Sequence, residues 1–216
     1  MRLYRPVDLE ELRLIYAAGM RGFPPRRPEQ PIFYPVLNRE YADEIAARWN
    51  ATGPTRSGYV TAFDVDDDYV AGFKAEVVGA ARHAELWIPA KELGRFNGRL
   101  RGAIEVVGAH FGEAFQGEIG TDGALRGRDA TQQFAYLVGV REFGMDFACE
   151  IHFNHAAVFL NYAFWAQADF RPQGVDAPTR DRILADVRSV WAGSTSHVEL
   201  PVKAPGGESD DGALGA

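Results

Sequence analysis

The sequence predicts an α+β protein, because segments with helical spacing of apolar residues alternate with segments of strand character. Residues 9–20 and 39–49 carry apolar side chains at helical spacing. Residues 58–65, GYVTAFDV, alternate and are rich in β-branched and aromatic side chains, as in a strand. Residues 84–107 place a short helical pattern between two strand-like runs. We therefore expect a compact α+β unit in the first half of the chain.

The composition indicates an ordinary globular protein without a nucleic-acid-binding surface. At 216 residues and 46% hydrophobic content, the chain can form one sizeable core or two small ones. Its net charge of -7 argues against a surface that follows nucleic-acid phosphates, which needs an excess of Lys and Arg. A small anionic ligand needs only one or two arginines and remains compatible with this charge.

The number of cysteines and the hydropathy of the chain indicate in which cellular compartment the protein is expected. The single cysteine, Cys149, excludes an internal disulfide and fits a reducing compartment. No basic N-terminal segment precedes an apolar stretch, and no apolar run approaches the roughly 20 residues that cross a bilayer. We expect a soluble, cytoplasmic protein that contacts no membrane.

The first elements follow from local signals at their ends. Residues 3–5 have strand character and are halted by Pro6, which cannot donate to a neighbouring strand. Asp8 is a good N-cap for the helix over 9–20, and Asn38 is a good N-cap for the helix over 39–49. Between the two helices, FPPRRPEQP predicts an ordered rim loop, stiffened by its prolines, and a short apolar run at 32–34 follows it.

The next elements lead to a glutamate in an unusual position. After the strand over 58–65, Asp66, Asp67 and Asp68 predict a solvated turn, since the spacing of a calcium loop is missing. Residues 75–78 have strand character, and an apolar run that resembles a buried strand begins beside Glu85. A buried carboxylate is costly unless it is paired or used. Glu85 therefore lies either at an edge facing water or at a functional site.

The second half predicts a mainly helical unit. Glycine-rich residues 111–128 lack periodicity and suggest a domain boundary near residue 115. Asp129 can cap a helix through residue 138, residues 145–165 suggest one central helix, and residues 179–191 suggest a third. The predicted units are a domain over 1–115, a smaller helical domain over 116–196 and a disordered tail over 197–216.

The first half of the chain resembles the ADP-ribosyltransferase superfamily. The resemblance rests on Tyr4-Arg5 in the first strand, Phe33-Tyr34 before the Asn38 helix, the GYVTAFDV strand and Glu85 after it. It implies a split β-sheet domain that uses NAD as a substrate and requires no metal. It also implies that Glu85 is catalytic and that NAD is bound by Arg5, Tyr34 with Tyr41 as the alternate, and Thr61.

The chemistry implied by that resemblance is physically reasonable. Departure of neutral nicotinamide leaves positive charge on the ribose, which one fixed carboxylate stabilises. The planar fork of an arginine suits a diphosphate. The sequence departs from the family pattern because it has no Ser-Thr-Ser triplet, and His83 stands where a second Glu or Gln is usual. The resemblance therefore predicts ADP-ribosyl transfer or NAD glycohydrolysis, with an unknown acceptor such as a protein.

Other interpretations remain open for each of these residues. Arg5 can be a surface arginine paired with Asp8 or Glu11, and Tyr34 can be a packing residue. Glu85 can be an edge-strand charge that prevents aggregation. The alternative function is a non-catalytic binding module with the same fold that docks a protein partner.

The second half offers weaker candidates for chemistry. Glu150 and His152 are two residues apart and would point in different directions on a helix. His152 and His155 could share a face but would need ligands from elsewhere, so we expect no metal site there. His83 is predicted to be exposed rather than catalytic, and Cys149 to be an inert buried thiol.

Overall fold

The computed structural model describes residues 1–79, 83–144, 146–194 and 198–201, which form an α+β protein with small antiparallel sheets. The strands in these residues are β1 (Arg2–Val7), β2 (Ile32–Phe33), β3 (Ser57–Val65), β4 (Ala75–Val77), β5 (Ala84–Leu86), β6 (Ile88–Pro89) and β7 (Leu100–Phe111). The helices are α1 (Leu9–Ala17), α2 (Arg39–Ile45), α3 (Asp67–Val70), α4 (Leu93–Asn97), α5 (Ala130–Glu142), α6 (Phe147–Phe153), α7 (His155–Gln167) and α8 (Ala177–Ala192).

The main sheet has the strand order β1-β3-β7, with both pairs antiparallel. The central strand, β3, is buried along almost its whole length, which explains its rich content of β-branched and aromatic residues. The prediction that Pro6 ends the first strand is wrong, because β1 runs on to Val7 and Pro6 pairs with Val60. The position of β1 at the edge of this sheet tolerates a residue that lacks an N–H donor.

The segment 35–37 joins the β4-β5 hairpin to the main sheet. The amide of Tyr4 donates to the carbonyl of Val36 at 3.0 Å, and the amide of Val36 donates back to Tyr4 at 2.8 Å. On the other side of the segment, the amide of Leu37 donates to Ala84 at 3.0 Å and the amide of Leu86 donates to Pro35 at 2.9 Å. Glu85 is therefore aligned with the main sheet through main-chain hydrogen bonds.

The starts of α1 and α2 were predicted correctly, whereas the predicted turn at residues 66–68 is the beginning of α3. The carboxylate of Asp8 accepts the amide of Glu11, and the side-chain oxygen of Asn38 accepts the amide of Tyr41 at 2.8 Å. The first helix ends at Ala17, earlier than predicted, because Gly19 and Met20 adopt positive φ angles of 66° and 57°. After α2, the chain widens into a π-helical turn over Ala46–Asn50.

The predicted single helix over residues 145–165 is wrong, since two helices separated at Asn154 occupy this region. Asn154 has φ of -110° and ψ of 29°, outside the helical range. Its side-chain oxygen accepts the amides of Thr121 and Asp122, and its amide nitrogen donates to the carbonyl of Asp122. The break thus ties the helical layer to the preceding loop.

Side chains from both halves belong to one continuous buried cluster, which extends from Leu3 to Leu200. The hydroxyl of Tyr59 on β3 donates to the carbonyl of Leu160 on α7 at 2.9 Å. The ring of Tyr16 on α1 stacks on Phe159 at 4.4 Å between centroids. The predicted boundary at residue 115 stays a prediction, and any such boundary would cross this core.

The predicted disordered tail, residues 197–216, lies outside the described residues except for 198–201. In this short piece the carbonyl of Val198 accepts the indole N–H of Trp191 at 2.7 Å, and Leu200 is buried. None of the helices in the described ranges combines the length and apolar character that a membrane span requires.

Candidate functional site

A cleft of about 620 Å³ opens between the N-terminal part of the main sheet, α1 and the rim loop over residues 24–30. Its size falls in the range of small-molecule sites. Three predicted site residues line it together, although they are widely separated in sequence: Arg5, Tyr34 and Glu85. Trp87 and Arg26, which were not predicted to bind NAD, line the same cleft.

Glu85 lies half-buried at the centre of β5, opposite Glu76 of β4. The indole N–H of Trp87 donates to its Oε1 at 2.9 Å. No residue in the described part of the chain bonds to its Oε2. The carboxylate is thus oriented through one oxygen while the other remains available to a ligand. The predicted apolar strand proves to be a short hairpin strand, so Glu85 is not deeply buried.

Tyr34 and Trp87 provide aromatic surfaces on one side of the cleft. Their rings are nearly perpendicular, at 89°, with centroids 5.8 Å apart. Trp87 keeps 47% of its surface exposed. An exposed indole beside a carboxylate supplies a flat face for a ring together with a charge for a polar group.

Arg5 is buried and fully engaged by protein groups. Its Nε and Nη2 donate to the two carboxylate oxygens of Glu11 at 2.7 and 3.0 Å. Its Nη1 donates to the carbonyl of Tyr34 at 3.3 Å, and its guanidinium lies 4.6 Å from the centroid of Phe33. The predicted alternative of a pair with Glu11 is therefore observed, but the arginine is only 7% exposed rather than on the surface.

Arg5 and Glu85 reach the cleft from different walls. Tyr4 pairs with Val36, and Val36 pairs with Glu85, so these three residues form one row across the strands. Arg5 belongs to the next row, and neighbouring residues of a strand project to opposite faces. Accordingly, Arg5 contacts Glu11 of α1, whereas Glu85 lies on the side of α2.

Two other predicted NAD contacts do not line the cleft. Thr61 is fully buried and its hydroxyl donates to the carbonyl of Arg5, its partner across the strands, at 2.8 Å, so it links β3 to β1. Tyr41 is buried in a small cluster around Val36 and stacks on His83 at 4.3 Å between centroids. Burial raises the pKa of Tyr41, and the charge of Glu85 raises it further, which indicates that the two are close.

His83 is mostly covered rather than exposed as predicted, because it lies between Tyr41 and Glu44. Its side chain is 18% exposed, and its Nε2 lies 3.3 Å from Oε2 of Glu44. This imidazole stands two residues before Glu85, just outside β5, and does not line the cleft.

The residues considered as metal ligands in the second half are engaged separately. Both carboxylate oxygens of Glu150 accept the amide of Ala124, while Nδ1 of His155 lies 2.9 Å from the hydroxyl of Tyr16. Within the described ranges, no group of three His, Cys, Asp or Glu side chains is placed to hold a metal ion. Cys149 is partly exposed rather than buried, and a hydrogen bond to the Asp146 carboxylate raises the pKa of its thiol.

Sequence reasoning missed the roles of Trp87 and Arg26. Trp87 is two residues from Glu85, and the period of a strand places such residues on one face. Arg26 was missed because the sequence of the rim loop does not fix the direction of this side chain, which depends on the path of the loop.

Comparison with known proteins finds no matching family model, no matching curated protein and no matching solved structure. The functional proposals below rest on the side chains of the cleft.

Proposed function

We propose that this cleft binds NAD and that Glu85 stabilises the ribosyl cation during ADP-ribosyl transfer or NAD hydrolysis. The observation that carries the proposal is that Arg5, Tyr34 and Glu85, chosen from the sequence for this chemistry, line one cleft. An ADP-ribosyltransferase-like arrangement of the first half belongs to the same proposal. It is supported by antiparallel strands that hold these residues around the cleft.

The geometry around Glu85 suits the proposed chemistry. The bond from Trp87 fixes one carboxylate oxygen at 2.9 Å, so little reorganisation is needed when positive charge develops on the ribose. The faces of Tyr34 and Trp87 supply surfaces for the nicotinamide or adenine ring. The acceptor would be a protein side chain, a nucleic-acid end, a small molecule or water, in the cytoplasmic setting expected from the sequence.

The decisive experiment compares nicotinamide release from NAD by the wild type and by Glu85→Gln. This substitution keeps the size of the side chain and removes its charge. Turnover should fall by about 10² to 10³, equivalent to about 3 to 4 kcal/mol of transition-state stabilisation. The affinity for NAD should change little, since the ribose charge develops only in the transition state.

Glu76→Gln is the matched control, because Glu76 lies opposite Glu85 in the hairpin and pairs with Lys74 at 2.7 Å. It should retain wild-type turnover. Equal nicotinamide release by the wild type and Glu85→Gln would remove Glu85 from the mechanism. Failure of the wild type to bind millimolar NAD in calorimetry would contradict the whole proposal.

The alternative is a non-catalytic module whose cleft edge docks a protein partner. The observation that favours it is an exposed apolar edge on the hairpin, where Val77, Val78 and Trp87 keep 58%, 46% and 47% of their surfaces exposed. Recovery of a stoichiometric partner that is lost with Trp87→Ser, together with no NAD consumption, would favour this function over the enzyme.

A further inference from the structure

Arg26 is a buried cation in the cleft whose hydrogen bonds are incomplete. It belongs to the rim loop, and its side chain is only 10% exposed. Its Nη2 donates to the side-chain oxygen of Gln30 at 2.7 Å, but its buried Nε has no partner in the described part of the protein. Its Nη1 lies 3.7 Å from the carboxylate of Glu11, beyond hydrogen-bond distance. Buried donors are normally paired, so this arginine is prepared for a further acceptor.

Within the described residues no carboxylate is hydrogen-bonded to Arg26, although the lining of the cleft holds four acids, Asp8, Glu10, Glu11 and Glu85, beside its three arginines. Arg5 and Arg26 share one carboxylate, that of Glu11, and Arg5 takes both of its oxygens. The other nearby acids serve different partners, since Asp8 accepts the amide of Glu11 and Glu10 pairs with Arg27 at 3.3 Å. Burial lowers the pKa of Arg26 and the charge of Arg5 lowers it further, while the charge of Glu11 opposes this shift.

We propose that Arg26, with Arg5 behind it, forms a subsite for a phosphate group of the ligand. A phosphate would supply the missing acceptor through a charge-assisted hydrogen bond. This inference rests on the proposed function and assigns the diphosphate of NAD to the α1 wall, across the cleft from Glu85. It also changes the role of Arg5, which positions Glu11 and contributes charge while Arg26 makes the contact.

The subsite can be tested by calorimetry with ADP, inorganic pyrophosphate and adenosine, which separate the phosphate from the nucleoside. The wild type should bind both ADP and pyrophosphate. Arg26→Gln should weaken both by at least about 10-fold, the usual effect of losing a hydrogen bond to a charged group. Adenosine should bind equally to the two proteins. Arg21→Gln is the matched control, because Arg21 is an exposed arginine at the start of the same connection.

Thermal melting establishes that each variant is folded. If Arg26→Gln does not fold, Arg26→Lys replaces it, since lysine keeps the charge but loses the planar fork and should also weaken ADP binding. ADP affinity unchanged by the substitution, or no ADP and pyrophosphate binding by the wild type, would overturn the subsite. ADP binding that depends on Arg26 without any NAD consumption would support the subsite and overturn the proposed function. NAD consumption with unchanged ADP affinity in Arg26→Gln would overturn only the subsite.

Discussion

At the scale of single residues, Asp8 decides which acid Arg5 meets. The sequence offers Asp8 and Glu11 as partners, at three and six residues from Arg5. The carboxylate of Asp8 is occupied by its cap bond to the amide of Glu11. Both carboxylate oxygens of Glu11 then accept hydrogen bonds from the guanidinium of Arg5. A local capping preference therefore selects a partner in the wall of the cleft.

Glu118 should show a pH-dependent effect on stability. Burial raises its pKa above the ordinary value of 4.5, although the charge of Arg13 opposes this shift. Well below pH 4.5 the carboxyl is protonated in both the folded and unfolded states, whereas above its folded-state pKa the partly buried charge penalises the folded state. Glu118→Gln should therefore raise the melting temperature near pH 7 and have little effect near pH 4.

The measurement is thermal melting of the wild type and Glu118→Gln across this pH interval. Glu113→Gln is the control, because Glu113 is an exposed glutamate of the same connection. A stabilisation by Glu118→Gln that is equally large at acid and neutral pH would show that the charge is not its cause.

At the scale of secondary structure, the elements whose ends are marked by local signals were predicted well. Asp8, Asn38 and Asp129 cap their helices as expected, and Asp129 forms a reciprocal capping box with Gln132. The break at Asn154 was missed although an asparagine can end a helix, because the apolar side chains on both sides of it suggest one continuous helix. What fixes that break is a set of bonds to backbone groups more than thirty residues away.

Two glycine substitutions should have opposite effects on stability. A Cβ added at Gly58 of β3 would lie 2.1 Å from the carbonyl oxygen of Ala46 in the π-helical turn, so Gly58→Ala should destabilise the protein by about 1 to 3 kcal/mol or more. A Cβ added at Gly139 inside α5 meets no described atom within 4 Å. Gly139→Ala should stabilise the protein by about 0.5 to 1 kcal/mol through helix propensity.

Urea denaturation of both variants checks this pair of predictions. Each serves as the control for the other, since the chemical change is the same. A stable Gly58→Ala variant would mean that β3 can move away from the turn without loss of packing.

At the scale of the whole molecule, the alternating periodicities predict the α+β class. They do not predict that side chains of the two halves pack in one core. Periodicity reports which face of an element is buried and does not report what covers it. Phe111, near the predicted boundary, packs on Phe164 of α7 with ring centroids 5.3 Å apart. The candidate site was predicted in part, because Arg5, Tyr34 and Glu85 line one cleft. The position of Arg26 in the same cleft could not be predicted, since it depends on the path of a loop.

We expect the chain to unfold in one cooperative transition, because residues of both halves share the core. Calorimetry should give equal calorimetric and van't Hoff enthalpies. A fragment of residues 1–115 should lack a cooperative transition, since Tyr59 would lose its bond to Leu160 and Tyr16 its stacking on Phe159. Two separate transitions in the full chain, or a cooperatively folded fragment, would instead support two independent domains.

The segment 35–37 allows side chains of the cleft wall to change without moving Glu85. It aligns the Glu85 hairpin with β1 through main-chain groups, which every residue except proline possesses in full. Substitutions at Val36, which lines the cleft, can therefore change the shape of this wall without altering the register that positions the carboxylate. Side-chain changes at this wall can therefore alter which ligand fits, while the main-chain hydrogen bonds keep Glu85 in the same position.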